Sequence, residues 1–280
     1  MRDGRTLGFA QYGDPAGFPV INAHGGLVCR LDVAAADAVA SGMGIRLVSP
    51  DRPGIGLSDP QPGRTVLGWA ADIEDLADQL DIDRFGVMGW SMGGQYAAAV
   101  GHALEARVTR VAIVAGAVPL DEPGAFDQLP TFDRVFTRLS HRAPVLARAC
   151  FWAMSTSAAV APTTYGRLGA RGLGPADGAV LRDIGYRAFA RMSHEGLRRT
   201  AGVVEEYRAW MRPWGFAPEE LSIGVDVWYG TDDELVDSRW PHELVRRIPS
   251  ATLHLRPGGH FMEQLYYREI FAALRGADAV

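Results

Sequence analysis

Gly89-Trp90-Ser91-Met92-Gly93 follows directly on the apolar run Phe85-Gly86-Val87-Met88 and leads into the alanine-rich segment Gly94 to Leu104. A short apolar run reads as a buried strand, and an alanine-rich stretch reads as a helix packed tightly on a sheet. Between them stands a serine in the pattern G-x-S-x-G, which places its hydroxyl on a sharp strand-to-helix turn. Such a turn strains the backbone and holds the side chain out where other groups can reach it, and the flanking glycines let it close without clashes. In a chain with 33 glycines the pentapeptide alone is a weak signal. Its strand and helix neighbours give it meaning.

A serine hydroxyl is a poor nucleophile at neutral pH and needs a base, for which histidine is suited. Of the seven histidines, His260 lies in Pro257-Gly258-Gly259-His260-Phe261, after the last apolar run and before the last helical pattern. That position is a loop at the carboxyl end of a strand, where the reactive groups of open α/β sheets gather. The base in turn needs a carboxylate to hold its tautomer. Tyr229-Gly230-Thr231-Asp232-Asp233-Glu234 ends another apolar run with three adjacent acids. Asp233 is the expected acid, with Asp232 as its rival and Glu234 and Asp237 behind them. The order serine, acid, histidine is that of one class of hydrolase. An oxyanion needs hydrogen-bond donors, and His24-Gly25-Gly26-Leu27 after the run Val20 to Ala23 offers a glycine-rich turn with free N–H groups. Gly26 and Met92, the residue after the serine, are the expected pair, with His24 ordering the turn through hydrogen bonds.

Working outward, apolar runs alternate with helical patterns from the start to about Ala117, as in a mostly parallel sheet with helices on both faces. Ile73, Leu76, Ala77 and Leu80 share one helical face, which should bury against that sheet. Between about Pro119 and Pro218 β-branched runs give way to proline, arginine, alanine and aromatic residues in helical patterns. Sheet-type runs then resume at Ile223 to Tyr229 and Ala251 to Leu255. The expected division is a core of residues 1–118 and 219–280 with a helical lid at 119–218.

The 280 residues, 48% of them apolar, suffice for one large core with an insertion. A net charge of -5 without a basic block argues against nucleic acid or a membrane surface as partner. Cys29 and Cys150, the only two cysteines, form neither a disulfide framework nor a C-x-x-C motif, so a reducing, cytoplasmic setting is expected. The N-terminus lacks the apolar core of a secretion signal. No cofactor and no metal is called for. The expected partner is a small apolar ester or related acyl substrate, with a homodimer as the one assembly considered.

With Ser91, Asp233 and His260 in that order, together with His24-Gly25-Gly26 and Asp51-Arg52-Pro53-Gly54-Ile55-Gly56-Leu57-Ser58, the chain resembles the α/β-hydrolase fold superfamily over nearly its whole length. The resemblance implies an eight-stranded, mostly parallel sheet with a helical cap after the sixth strand. It also implies Ser91 as nucleophile, Asp233 as acid, His260 as base, and Gly26 with Met92 as oxyanion donors. Where relatives often have proline and small residues after the His-Gly pair, this chain runs Gly26-Leu27-Val28-Cys29-Arg30. A serine at the elbow argues against the dehalogenase and epoxide hydrolase branches, which use a carboxylate nucleophile.

Aromatic and methionine residues of the lid, among them Phe132, Met154, Tyr165, Phe189, Tyr207 and Trp210, could roof an apolar pocket, although most would serve as lid core. Leu27, Trp90, Trp152 and Phe261 are the expected substrate contacts. The expected activity is hydrolysis of an apolar carboxylic ester through an acyl-enzyme. Carbon–carbon bond (diketone) hydrolysis, thioester or lactone hydrolysis, cofactor-free perhydrolysis and acyl transfer use the same triad. A ligand-binding receptor on the same fold is the rival from outside enzymes.

Overall fold

The computed structural model describes residues 1–276 of the 280. Seven strands form one sheet: β1 (Phe9–Gly13), β2 (Phe18–Ala23), β3 (Ile45–Pro50), β4 (Phe85–Trp90), β5 (Val108–Val114), β6 (Val225–Gly230) and β7 (Ala251–Arg256). Their spatial order is β1-β3-β2-β4-β5-β6-β7. Only β1 runs antiparallel to its neighbour. The order reverses between β3 and β4, with β2 between them, and β4 lies at the middle of the sheet. All six residues of β4 and of β6 are buried. A strand covered on both faces reads as a continuous apolar run, which is why β4 was legible.

The helices between strands are α1 (Asp37–Gly42), α2 (Trp69–Gln79), α3 (Gly93–Ala103), α10 (Trp240–Arg247) and the terminal α11 (Glu263–Arg275). In α2 the residues Ile73, Leu76 and Ala77 are buried, on the face the 3.6-residue spacing marks out. Helix α3 packs on β4 and β5, and its Ala97, Ala98 and Ala99 are fully buried. Ala97 faces Gly89 of β4, where two small residues let the helix lie close on the strand. Each fully buried valine, isoleucine or phenylalanine of the sheet contributes about 1.5–3 kcal/mol.

Six helices stand between β5 and β6, all inside the 119–218 range: α4 (Thr131–Arg142), α5 (Pro144–Val160), α6 (Pro162–Gly172), α7 (Gly174–Ile184), α8 (Tyr186–Leu197) and α9 (Thr200–Trp210). Pro144 and Pro162 open α5 and α6, where a missing N–H costs nothing. These helices pack on one another, α5 with α8 and α9, and α6 with α7 and α8. One of their close approaches to the sheet domain is at Gly202, where a Cβ would stand 1.8 Å from the Gly54 carbonyl oxygen. Only glycine allows α9 to rest on the Asp51 to Ser58 loop.

Two features differ from expectation. The sheet has seven strands among the described residues, one fewer than the resemblance implied, and the helical segment follows the fifth. Residues 1–8 run as turn and loop, with Gly4 at a φ of +85°, and lie along α2 and the 51–59 loop. The Arg2 N–H donates to Asp75 at 2.5 Å, and Arg5 pairs with Asp72, both acids lying on α2. The edge strand β1 was not anticipated, because Phe9-Ala10-Gln11-Tyr12-Gly13 is only partly buried and carries little apolar pattern. No helix among the described residues is long and apolar enough to cross a membrane.

Candidate active site

Four turns meet at the carboxyl ends of β2, β4, β6 and β7. Ser91 follows β4 directly, with φ at +55°, a left-handed conformation that costs a non-glycine residue roughly 1–2 kcal/mol. The strain is held by neighbours. The Ser91 N–H donates to the Val114 carbonyl on β5 at 2.8 Å, and the Gly94 N–H donates to the Ser91 carbonyl at 2.9 Å. A Cβ on Gly93 would lie 1.9 Å from the Ala23 carbonyl oxygen, so glycine there lets the elbow nest against β2.

His260 Nε2 lies 2.8 Å from Ser91 Oγ. Its Nδ1 lies 3.0 Å from Asp233 Oδ2. The carboxylate can receive only if Nδ1 carries the proton, which leaves Nε2 free to accept the serine proton. Asp233 Oδ1 accepts the Leu235 N–H at 2.8 Å and the Val236 N–H at 3.0 Å, and the side chain is fully buried. Asp232, the rival acid, is exposed and instead accepts the Gly258 N–H at 3.0 Å. The burial of His260 disfavours its charged form, but the Asp233 charge and hydrogen bond, with Asp177 and Asp133 adding to them, raise its pKa above the ordinary 6.5.

The His260 loop is gripped from two sides. Asp177, on α7, accepts the His260 N–H at 3.0 Å and the Phe261 N–H at 2.8 Å. Trp90 Nε1–H donates to the His260 carbonyl at 2.7 Å. Nothing in the sequence pointed to Asp177, which reads as an ordinary acid in the first turn of a helix.

The glycine turn after β2 places Gly26 against Met92, whose Cε would lie 3.1 Å from a Cβ at that position. Buried His24 orders this turn, as expected. Its Nδ1–H donates to the Gly25 carbonyl at 2.8 Å, and its Nε2 accepts the Arg52 N–H at 3.1 Å. Burial, with the Arg52 charge nearby, lowers the His24 pKa well below the ordinary value, so the ring is neutral. The Arg52 guanidinium donates to the His24 carbonyl and, at 3.0 Å, to the Gly25 carbonyl, and it pairs with Glu206 of α9. Asp32 supports the same turn by accepting the Gly25 N–H at 3.1 Å and an Asn22 amide hydrogen at 2.9 Å. Burial pushes its carboxyl up to about 7.

The elbow opens on a cavity of about 670 Å³ lined by Ser91, Met92, Gly26 and His260, by residues of α4, α5, α6, α8 and α9, and by Leu235, Val236 and Trp240. Of the expected substrate contacts, Leu27, Trp90 and Phe261 line it. Trp152 does not. It is 64% exposed, because α5 turns its neighbours Phe151 and Met154 inward and leaves position 152 on the outer face. The buried thiol of Cys29 lies 3.5 Å from the Met192 carbonyl, and burial pushes its pKa up, which makes it inert.

Residues 20–273 match a family model described as "Alpha/beta hydrolase family". Among solved structures, the chain is similar to a thermophilic esterase from Thermogutta terrifontis, with 21% identity, 97% of this chain and 92% of that one covered, and a TM-score of 0.69. It is similar to a hydrolase from Pseudomonas aeruginosa at 16% identity, 99% and 97% coverage and a TM-score of 0.69. An enol-lactonase from Burkholderia xenovorans matches at 19% identity, 97% coverage of both chains and a TM-score of 0.65. At these identities the likeness is one of fold.

Proposed function

This chain is an enzyme that belongs to the alpha/beta hydrolase family, and from that premise we propose that it is a serine hydrolase cleaving an apolar carboxylic ester through an acyl-enzyme. The observation that supports this reading is the unbroken hydrogen-bonded chain from Ser91 Oγ through His260 to Asp233, at the wall of a largely apolar cavity. Charge relations fit it: the serine needs a base, the base needs a buried acid, and the substrate needs a dry, shaped site.

In the proposed reaction, Ser91 Oγ attacks the ester carbonyl carbon while His260 Nε2 takes its proton. The carbonyl oxygen becomes an oxyanion, received by the N–H groups of Gly26 and Met92. The intermediate collapses, the alcohol leaves with the proton from His260, and Ser91 stays acylated. Water, deprotonated by His260, attacks the acyl carbon and releases the acid, restoring the serine. Asp233 holds the ring throughout and stabilises its charged form. The six helices at 131–210 act as a cap, and all but α7 supply residues to the cavity wall. The partner is a small apolar ester, and two unpaired thiols suit a cytoplasmic setting.

The test is hydrolysis of p-nitrophenyl esters of graded acyl length, run beside thioesters, lactones and diketones, with Ser91→Ala as the blank. Loss of turnover in Ser91→Ala, with labelling of Ser91 by a fluorophosphonate in the parent, is the expected outcome. Equal rates in parent and variant would end this reading. A Ser91 that resists labelling would favour the receptor.

A further inference from the structure

One carboxyl group on the wall of the cavity has, among the described residues, only one of its two oxygens held by a protein donor. Asp133, on α4, lines the cavity beside Phe132, Tyr207 and Trp210. No lysine or arginine lines it. The Tyr207 hydroxyl, on a fully buried ring, donates to Asp133 Oδ1 at 2.9 Å. Among the described residues no protein donor reaches Oδ2. The two arginines of α4 nearest in sequence are engaged elsewhere: Arg134 donates to the Asp127 carbonyl and Thr131, and Arg138 lies over the Phe126 ring. Asp133 is half-buried in the first turn of α4, where the helix dipole favours an acid, but that does not account for its facing the cavity with one neutral partner and one oxygen left over.

We infer that Asp133, oriented by Tyr207, is a second recognition point of this cavity and takes a hydrogen-bond donor of the substrate, a hydroxyl or an ammonium group, remote from the scissile carbonyl. The inference rests on the proposed hydrolase reading and narrows its substrate class to esters with one polar, donor-bearing end. The free oxygen Oδ2 supplies the acceptor. The rings of Tyr207 and Trp210, edge to face with centroids 6.0 Å apart, add aromatic surface that favours a cation over an anion. An acidic group on the substrate would meet like charge and no basic side chain. Burial raises the Asp133 pKa, and the Tyr207 bond and His260 charge oppose that. Asp133 and His260 line the same cavity, so one substrate can meet both.

The test uses two ester panels of roughly six to ten carbons, one of p-nitrophenyl esters varied at the acyl end and one of acetates varied at the alcohol end. Each chain terminates in methyl, hydroxyl, ammonium or carboxylate. In the parent, at one or more lengths, kcat/KM for a donor-ended ester should exceed that of its methyl-ended counterpart by about ten- to a hundredfold, and carboxylate-ended esters should be the poorest. In Asp133→Leu that ratio should fall to about one or below. Asp133→Asn keeps the shape and an acceptor oxygen, so a hydroxyl preference should survive in it while an ammonium preference should vanish, which tells the two donors apart. A parent without donor preference at any length, or a preference unaltered in both variants, overturns the inference. Fluorophosphonate labelling of Ser91 separates the two claims: labelling without donor preference sinks only the inference, whereas an unlabelled parent sinks the hydrolase reading and the inference with it.

Discussion

Asp177, in the first turn of α7, holds His260 by its backbone, accepting the N–H of that residue at 3.0 Å while its other oxygen accepts the Phe261 N–H at 2.8 Å. A residue of the helical segment therefore determines where the imidazole of the sheet domain sits. Asp177 touches no reacting atom in the proposed mechanism, so it is a positioning residue. The geometry couples the docking of the helices to the readiness of the base.

Asp177→Ala should reduce turnover by about 10²-fold, the order expected when a reacting group is displaced by about an ångström. Two buried N–H groups would lose their acceptor, at about 1–3 kcal/mol each, so urea denaturation should show a less stable protein. A purely structural role would stop there. Because the Asp177 charge also raises the His260 pKa, the acid limb of kcat/KM against pH should in addition move to lower pH. A variant with a parental limb would show that Asp177 does not act on the histidine.

The parent's own pH profile follows from the same group. With its pKa raised above 6.5, His260 becomes protonated at a higher pH than a free histidine, and the protonated ring cannot accept the serine proton. Activity should therefore fall with decreasing pH through a midpoint above 6.5. Asp233→Asn removes the main charge that raises the pKa and disturbs the tautomer, and should lower turnover by about 10⁴-fold. Stopped assays from about pH 5 to pH 9 would check both. A limb centred below 6.5 in the parent would contradict the assignment.

Strain at the elbow can be measured apart from chemistry. Ser91→Ala and Ser91→Gly should both be inactive, but only glycine adopts a φ of +55° without cost. Ser91→Gly should be more stable than Ser91→Ala by about 1 kcal/mol in urea unfolding. Equal midpoints would mean that the elbow stores no strain.

Glu206 of α9 is buried against Arg52, which in turn bonds the carbonyls of His24 and Gly25. Glu206→Ala would strand a buried guanidinium, and should destabilise the protein by about 3–5 kcal/mol in denaturant titration. The rate should fall as well, because Arg52 braces the turn that carries Gly26. A loss below about 1 kcal/mol would show that water reaches the pair.

The sheet strands from β2 onward and the long helices α2, α3 and α11 were legible because burial on one or both faces leaves a period in the residues that make them. Ser91, His260 and the acidic run around Asp233, which the structure joins in one hydrogen-bonded chain, were legible as candidates for a different reason: each sits in a turn whose glycines and position after a strand are local properties. What failed were properties without a local signature. Strand β1 is half exposed at a sheet edge and carries no run, and Trp152 looked like a cavity residue because an aromatic on a helix gives no sign of which way it faces until α5 is docked.

The residues alone thus determined the alternation of strands and helices from β2 onward, the elbow, and Ser91 and His260 as candidates, since chemistry and turn geometry are written over a few consecutive positions. Only the tertiary structure decided between Asp232 and Asp233, turned Asp177 onto the His260 backbone, buried Glu206 on Arg52 and put Asp133 on the cavity wall. Each of those facts is a contact between residues far apart in the chain. A side chain's partner there depends on how helices pack against the sheet, which no short stretch of sequence records.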